Sequence, residues 1–129
     1  MQLRLWIEHS LLTNYKGSGT TIDGDAKVIP VDYSNKESIK SALTGVDVVI
    51  STIPATALGV QVVIAEAAKE AGVKLFVPSE FGGATEGETK GLKGEKAGIQ
   101  YHLKGIRMPY ALFYTGPYAD FIWVPYASY

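Results

Sequence analysis

The chain predicts an α/β fold, parallel strands with helices packed on the faces of their sheet, and three observations carry that prediction. Val46 to Ile50 is a continuous apolar run, as a strand covered on both faces should be. Val60, Val63, Ile64, Ala67 and Ala71 then fall at i, i+3, i+4, i+7 and i+11, with Glu66, Lys69 and Glu70 opposite, the stripe of an amphipathic helix. A second apolar run, Val73 to Val77, stops at Pro78-Ser79-Glu80-Phe81-Gly82. That turn sets polar and aromatic groups at the carboxyl end of a parallel strand, where open α/β sheets bind ligands.

Taken in order, Val28-Ile29-Pro30-Val31 is a short β-type run ending at Asp32. Ser34 with Glu37 three residues on reads as a capping box, Ile39 and Leu43 supply the buried stripe of the helix it opens, and Gly45 is its left-handed stop. The Val46 strand follows, then a loop around Pro54, then the helix from Val60, closed by Gly72. Leu75 to Val77 is the next strand. Gly82 to Gly91, rich in Gly, Thr and Glu, is a surface loop, and Leu92, Ile99 and Leu103 outline a further helix closed by Gly105. Tyr110 to Tyr114 is the last strand. Strands and helices alternating at this spacing imply right-handed crossovers, with the Val46 and Leu75 strands as parallel neighbours.

The first 27 residues follow a different pattern. Leu3 to Ile7 has strand character, but Glu8 to Lys27 is rich in Gly, Ser, Thr and Asn without helical periodicity. Gly17-Ser18-Gly19 lacks the third glycine and the following helix of a pyrophosphate loop, and reads as a plain loop. Asp23-Gly24 is equally readable as a hairpin turn.

Composition narrows the function. One core and one domain are the limit for 129 residues, 47% of them hydrophobic. Twelve basic and thirteen acidic residues give a net charge of -1, with no basic excess of the kind that marks a nucleic-acid surface. Zero cysteines exclude a disulfide framework, a thiolate metal site and a cysteine nucleophile, and His9 and His102 stand apart without ligand spacing, so no metal is expected. The uncharged run from Val48 to Ala65 contains Ser51, Thr52, Pro54, Gly59 and Gln61 and reads as strand, loop and helix rather than a membrane span. Without a visible secretory signal, the expected location is the cytoplasm.

The residues also carry a resemblance. Val31-Asp32-Tyr33-Ser34, Gly45-Val46-Asp47-Val48-Val49-Ile50-Ser51-Thr52, Val77-Pro78-Ser79-Glu80-Phe81-Gly82, Glu95-Lys96-Ala97 and Pro109-Tyr110 together resemble the NmrA-like family of atypical short-chain dehydrogenase/reductases, which includes isoflavone reductases and phenylcoumaran benzylic ether reductases. The resemblance implies a partial Rossmann-like, doubly wound parallel sheet. Family members open with a strand, a G-x-x-G-x-x-G loop and a helix that hold the cofactor pyrophosphate, and this sequence lacks that first glycine-rich β-α unit. The expectation is one incomplete NAD(P)-binding domain over residues 1-129, divergent over 1-27, family-like over 28-122 and ending in a truncated tail at 123-129.

What the resemblance implies chemically centres on Lys96. In the family's reductases the lysine at this position hydrogen-bonds the cofactor ribose and acts as acid or base while hydride leaves the nicotinamide. A lysine in a partly dry cleft beside a cationic ring exchanges its proton more readily than one in water. The plain alternative makes Lys96 one of the exposed lysines of a charged helix, with Lys90, Lys93 and Lys104. No Y-x-x-x-K occurs, because Tyr101 and Lys104 are only three apart, so the commoner short-chain dehydrogenase arrangement is absent.

Cofactor-binding candidates are Asp32 near the adenine, Thr52 and Ile53 at a strand end, Pro78, Ser79 and Phe81 in the turn, and Gly116 in the Thr115-Gly116-Pro117 turn facing the same crevice. Each has a bland counterpart. Pro54 and Gly116 serve backbone geometry, Phe81 is an ordinary strand-end aromatic, and Asp32 is a helix-terminus residue. Glu8 would meet ribose hydroxyls if Leu3 to Ile7 were the second strand of the sheet. If that run is not the central first strand, the sheet has a gap.

Three functions fit these residues. The first is NADP- or NAD-dependent reduction of a small aromatic or carbonyl compound, with Lys96 handling the proton. A redox-sensing regulator that binds dinucleotide without turnover is the second, and a non-functional truncated fragment the third.

Overall fold

The computed structural model describes the backbone of Leu5–Ile7 and residues 29–117. Its elements are β1 (Leu5–Ile7), α1 (Lys36–Ala42), β2 (Val48–Ile50), α2 (Val60–Ala71), β3 (Leu75–Val77) and α3 (Gly91–Gly105). The sheet runs β1-β2-β3 with both pairings parallel. Val48, Val49 and Ile50 lie opposite Leu75, Phe76 and Val77, the neighbour relation expected from the two apolar runs. On its other side β2 pairs Val48 with Leu5 and Ile50 with Ile7, so Leu5–Ile7 fills the strand position beside β2. All described strands lie to one side of β1. The readings of Glu8, Gly17-Ser18-Gly19, Asp23-Gly24 and the tail at 123-129 fall outside the described residues.

The helices form where the apolar spacing put them. In α2, Ile64, Ala65, Ala67 and Ala68 are wholly buried and pack with Ile39 and Leu43 from the α1 region, Val49 of β2 and Phe76 of β3. Burying side chains of this size contributes about 1.5–3 kcal/mol for each large one. Gly72 ends α2 at φ +81°, a left-handed cap that costs glycine little.

Local chemistry moved several boundaries. Asn35, not Ser34, caps α1, its Oδ1 accepting from the backbone N–H of Glu37 (3.1 Å) and Ser38 (3.3 Å). The Ser34 hydroxyl instead donates to Asp32 Oδ1 at 2.6 Å, a short bond to a carboxyl oxygen that draws the side chain back toward the turn before the helix. Residues 29–31 form no strand, and Pro30 has no N–H to give a ladder. The second strand begins at Val48 because Val46 N–H is spent on Leu43 O (3.0 Å), closing the turn after α1. Val48 and Ile50 are half-buried, not sealed on both faces as a continuous apolar run suggested.

α3 ends at Gly105, and the left-handed residue beyond the helix is Arg107 (φ +55°), whose carbonyl accepts Lys69 Nζ at 2.7 Å. The last expected strand shrinks to one parallel bridge, Phe76 with Tyr110. Past Val77 the would-be partner is Pro78, which cannot donate, and residues 111–114 follow the turn instead.

Candidate functional site

A cleft of about 460 Å³ opens where β2 and β3 end, lined by Thr52, Ile53, Ala55, Leu58, Ser79, Glu80, Phe81, Leu92 and Lys96. Its size is that of a small-molecule site. Three segments build it: the loop after β2, the Pro78–Gly82 turn after β3, and the first half of α3.

Ser79 joins the first two. Its N–H donates to Gln61 Oε1 and its hydroxyl to Ile53 O, both at 2.8 Å, so the turn is fastened to the β2 loop and to the first turn of α2. Pro78 lies buried behind this junction. Phe81 then adopts φ +35°, a region disfavoured for a bulky residue and costing about 1 kcal/mol or more. The neighbouring chain holds it there. Phe81 N–H donates to Phe113 O and Gly116 N–H to Gly82 O, each at 3.1 Å. Gly116, at φ +75°, thus braces the edge of the site from outside the cleft lining.

Lys96 projects from the first half of α3 and its ammonium donates to the Glu80 carbonyl oxygen, so the side chain reaches the turn at the strand end rather than the outer helix face. That leaves its remaining hydrogens for an oxygen in the cleft. Glu80 itself is 2% exposed, and its carboxylate accepts from Thr85 Oγ1 (3.0 and 3.1 Å) and Gln100 Nε2 (2.7 Å). Gln100 also donates to Thr85 Oγ1 at 2.8 Å and reaches Tyr114 OH at 3.5 Å. Removal from water pushes the Tyr114 hydroxyl above its ordinary value, against the pull of a hydrogen bond with Thr85, so the phenol stays neutral.

The structure therefore brings Thr52, Ile53, Ser79, Phe81 and Lys96 to one cleft, with Pro78 and Gly116 supporting it. Asp32 is not among the lining residues. It is exposed, with the Ser34 hydroxyl and N–H holding its carboxyl below the ordinary carboxylate range.

Sequence reasoning passed over Gln61, Thr85 and Gln100 and gave Glu80 no role. The signal was present for the glutamines. Gln61 lies on the stripe of Ile64, Ala65 and Ala68, and Gln100 on that of Ala97 and Leu103, and a polar residue on an apolar stripe needs a buried partner. Among the described residues no cluster of three or more His, Asp or Glu is disposed to hold a metal, and no helix is long and apolar enough to cross a membrane.

The model of the NmrA-like family matches residues 13–129. The chain belongs to the NmrA-like family. The isoflavone reductase homolog IRL of Zea mays is 34% identical over 119 residues, 87% of this chain and 36% of its own. The phenylcoumaran benzylic ether reductase TP7 of Nicotiana tabacum is 42% identical over 77 residues, 59% of this chain and 23% of its own. Among solved structures, AtPrR2 with NADP+ and (+)pinoresinol superposes with a TM-score of 0.57 at 29% identity, over 63% of this chain and 30% of that one. The chain thus spans about a third or less of the length of these relatives.

Proposed function

We propose that this NmrA-like chain carries the nicotinamide side of an NAD(P)H-dependent reductase acting on a small aromatic or carbonyl compound, with Lys96 as its acid–base group. The observation that carries the reading is the Lys96 ammonium at the Pro78–Gly82 turn, facing a cleft at the strand ends. The lining fits one half of a dinucleotide. Thr52, Ile53 and Ser79 offer polar and backbone groups, Phe81 an aromatic face, and Leu58 and Leu92 apolar cover. The sequence has no glycine-rich loop for the pyrophosphate. Pro78 and Gly116 act by shaping the turn, and Asp32 is assigned to the adenine side.

When bound, the reduced nicotinamide supplies hydride. The chain's own residues do the rest. Lys96 holds or delivers a proton at a substrate oxygen, oriented by the Glu80 carbonyl, while Leu58, Leu92 and Phe81 keep water from the reacting face. NADPH is the form to test first, since AtPrR2 was solved with NADP+.

The test measures NADPH oxidation by the 129-residue chain at saturating cofactor, across aromatic ketones, enones and benzylic ethers. Turnover with one class, abolished in Lys96→Ala with cofactor binding retained, is the expected result. Full activity in Lys96→Ala would remove the lysine from the chemistry. Tight NADPH binding without oxidation across the panel would favour the redox-sensing regulator.

A further inference from the structure

A carboxyl group at 2% exposure needs hydrogen-bond partners for its oxygens, and among the described residues Glu80 has no cation on them. It is held by neutral donors instead, the Thr85 hydroxyl and the Gln100 amide. These partners come from different segments. Thr85 belongs to the loop after the Pro78–Gly82 turn, and Gln100 lies one helical turn beyond Lys96 on α3. The backbone carbonyl of the same Glu80 receives the Lys96 ammonium. One residue thus ties the turn, the loop and the helix together and also presents the acceptor that aims the lysine.

We propose that Glu80 is the positioning residue for Lys96: its buried carboxylate, clipped to Gln100 and Thr85, fixes both the turn that supplies the lysine's acceptor and the helix that supplies the lysine. The proposal rests on the reductase reading only for its importance to catalysis, because the placement of Lys96 is measurable without turnover. A Gln at position 80 keeps one acceptor oxygen for Thr85 and Gln100 and so preserves the clip. An Ala removes it and strands two buried donors.

The test is competitive acylation of the 129-residue chain with acetic anhydride, with the rate at each lysine read by peptide mass spectrometry. Lys93, whose side chain is 59% exposed on the same helix and makes only a loose 3.6 Å surface pair with Glu88, is the internal standard. Lys96 should react about tenfold more slowly than Lys93, the protection expected of a hydrogen bond from a charged donor. Glu80→Gln should keep Lys96 slow. Glu80→Ala should bring it within about twofold of Lys93, and Gln100→Met, which removes one arm of the clip, should accelerate it about threefold or more while the Lys93 rate stays fixed.

Should Glu80→Ala unfold, all lysines will react alike and Gln100→Met decides. A slow Lys96 in folded Gln100→Met, or release in Glu80→Gln equal to that in Glu80→Ala, overturns the proposal. Adding NADPH forms a separate arm. Failure of the cofactor to protect Lys96 counts against the reductase reading and leaves the positioning role standing.

Discussion

Two glycines of α3 should respond to alanine with opposite sign. A Cβ built on Gly94 would lie 2.5 Å from the carbonyl carbon of Thr89, 2.9 Å from its oxygen and 3.2 Å from its Cα. Carbon atoms in good contact sit at about 3.5–4.0 Å, so the helix or the Thr89 backbone must give by about 1 Å. Overpacking of this kind costs about 1–3 kcal/mol, against about 1 kcal/mol gained in helix propensity, and the net for Gly94→Ala is a loss of up to about 2 kcal/mol. Gly98 is exposed on the same helix, and its Cβ would meet nothing within 4 Å. Gly98→Ala should therefore stabilise the chain by about 0.5–1 kcal/mol. Urea unfolding followed by far-ultraviolet circular dichroism compares the two, and at the slopes usual for small domains their midpoints should separate by about 1 M. Equal stabilisation by both substitutions would refute the packing of the α3 amino-terminal turn on Thr89, and with it the placement of Lys96 two residues on.

Other consequences can be measured on the same protein. Phe76 is wholly buried between the helices and the sheet, so Phe76→Ala should cost about 3–5 kcal/mol in the same urea assay. Hydrogen bonding to Lys36 (2.6 Å), with Lys40 at 3.3 Å, holds the Glu70 carboxyl below its ordinary value. Its folded-state value is depressed, so the stability it lends is present above the ordinary carboxylate range and is lost as pH falls through the lowered one. Thermal unfolding should show an acid-side loss that Glu70→Gln flattens. Calorimetry with NADPH should give a dissociation constant of about millimolar or weaker, since the sequence offers no glycine-rich loop to the pyrophosphate. A micromolar constant would show that other residues supply those contacts.

The parts of this fold that were legible in the sequence are those where one local signal meets no competitor. The α2 stripe, the left-handed Gly72 and the pairing of the Val48 and Leu75 strands all rest on apolar periodicity and chain connectivity. Where two adjacent side chains can each serve as the helix cap, the sequence misleads. Ser34 looks like a helix cap, but the Asp32 carboxylate takes its hydroxyl and Asn35 caps α1. Proline at 30 and at 78 undid two expected strands by removing donors, a cost visible in the sequence once the ladder partner is known.

The site divides in the same way. Phe81, Ser79 and Lys96 stand in or beside a readable motif, and the cleft collects them. The Glu80–Thr85–Gln100 clip depends on a loop folding back on a helix, a tertiary contact that local spacing does not encode. Asp32, just ahead of α1, closes a turn on the Ser34 N–H, the local role its position before a helix suggested.

Residue-resolved NMR of the 129-residue chain, titrated with NADPH and, separately, with reduced nicotinamide mononucleotide at concentrations high enough to populate a weak site, reads the cleft directly. A nicotinamide site at the strand ends predicts that both ligands shift the amides of Ile53, Ser79 and Phe81 and the Lys96 side chain, with saturation at a common concentration for each ligand and loss of the Lys96 signal change in Lys96→Ala. Shifts confined to residues around Asp32, or none in the Thr52–Ile53 and Pro78–Gly82 segments while other parts of the chain saturate, would contradict it.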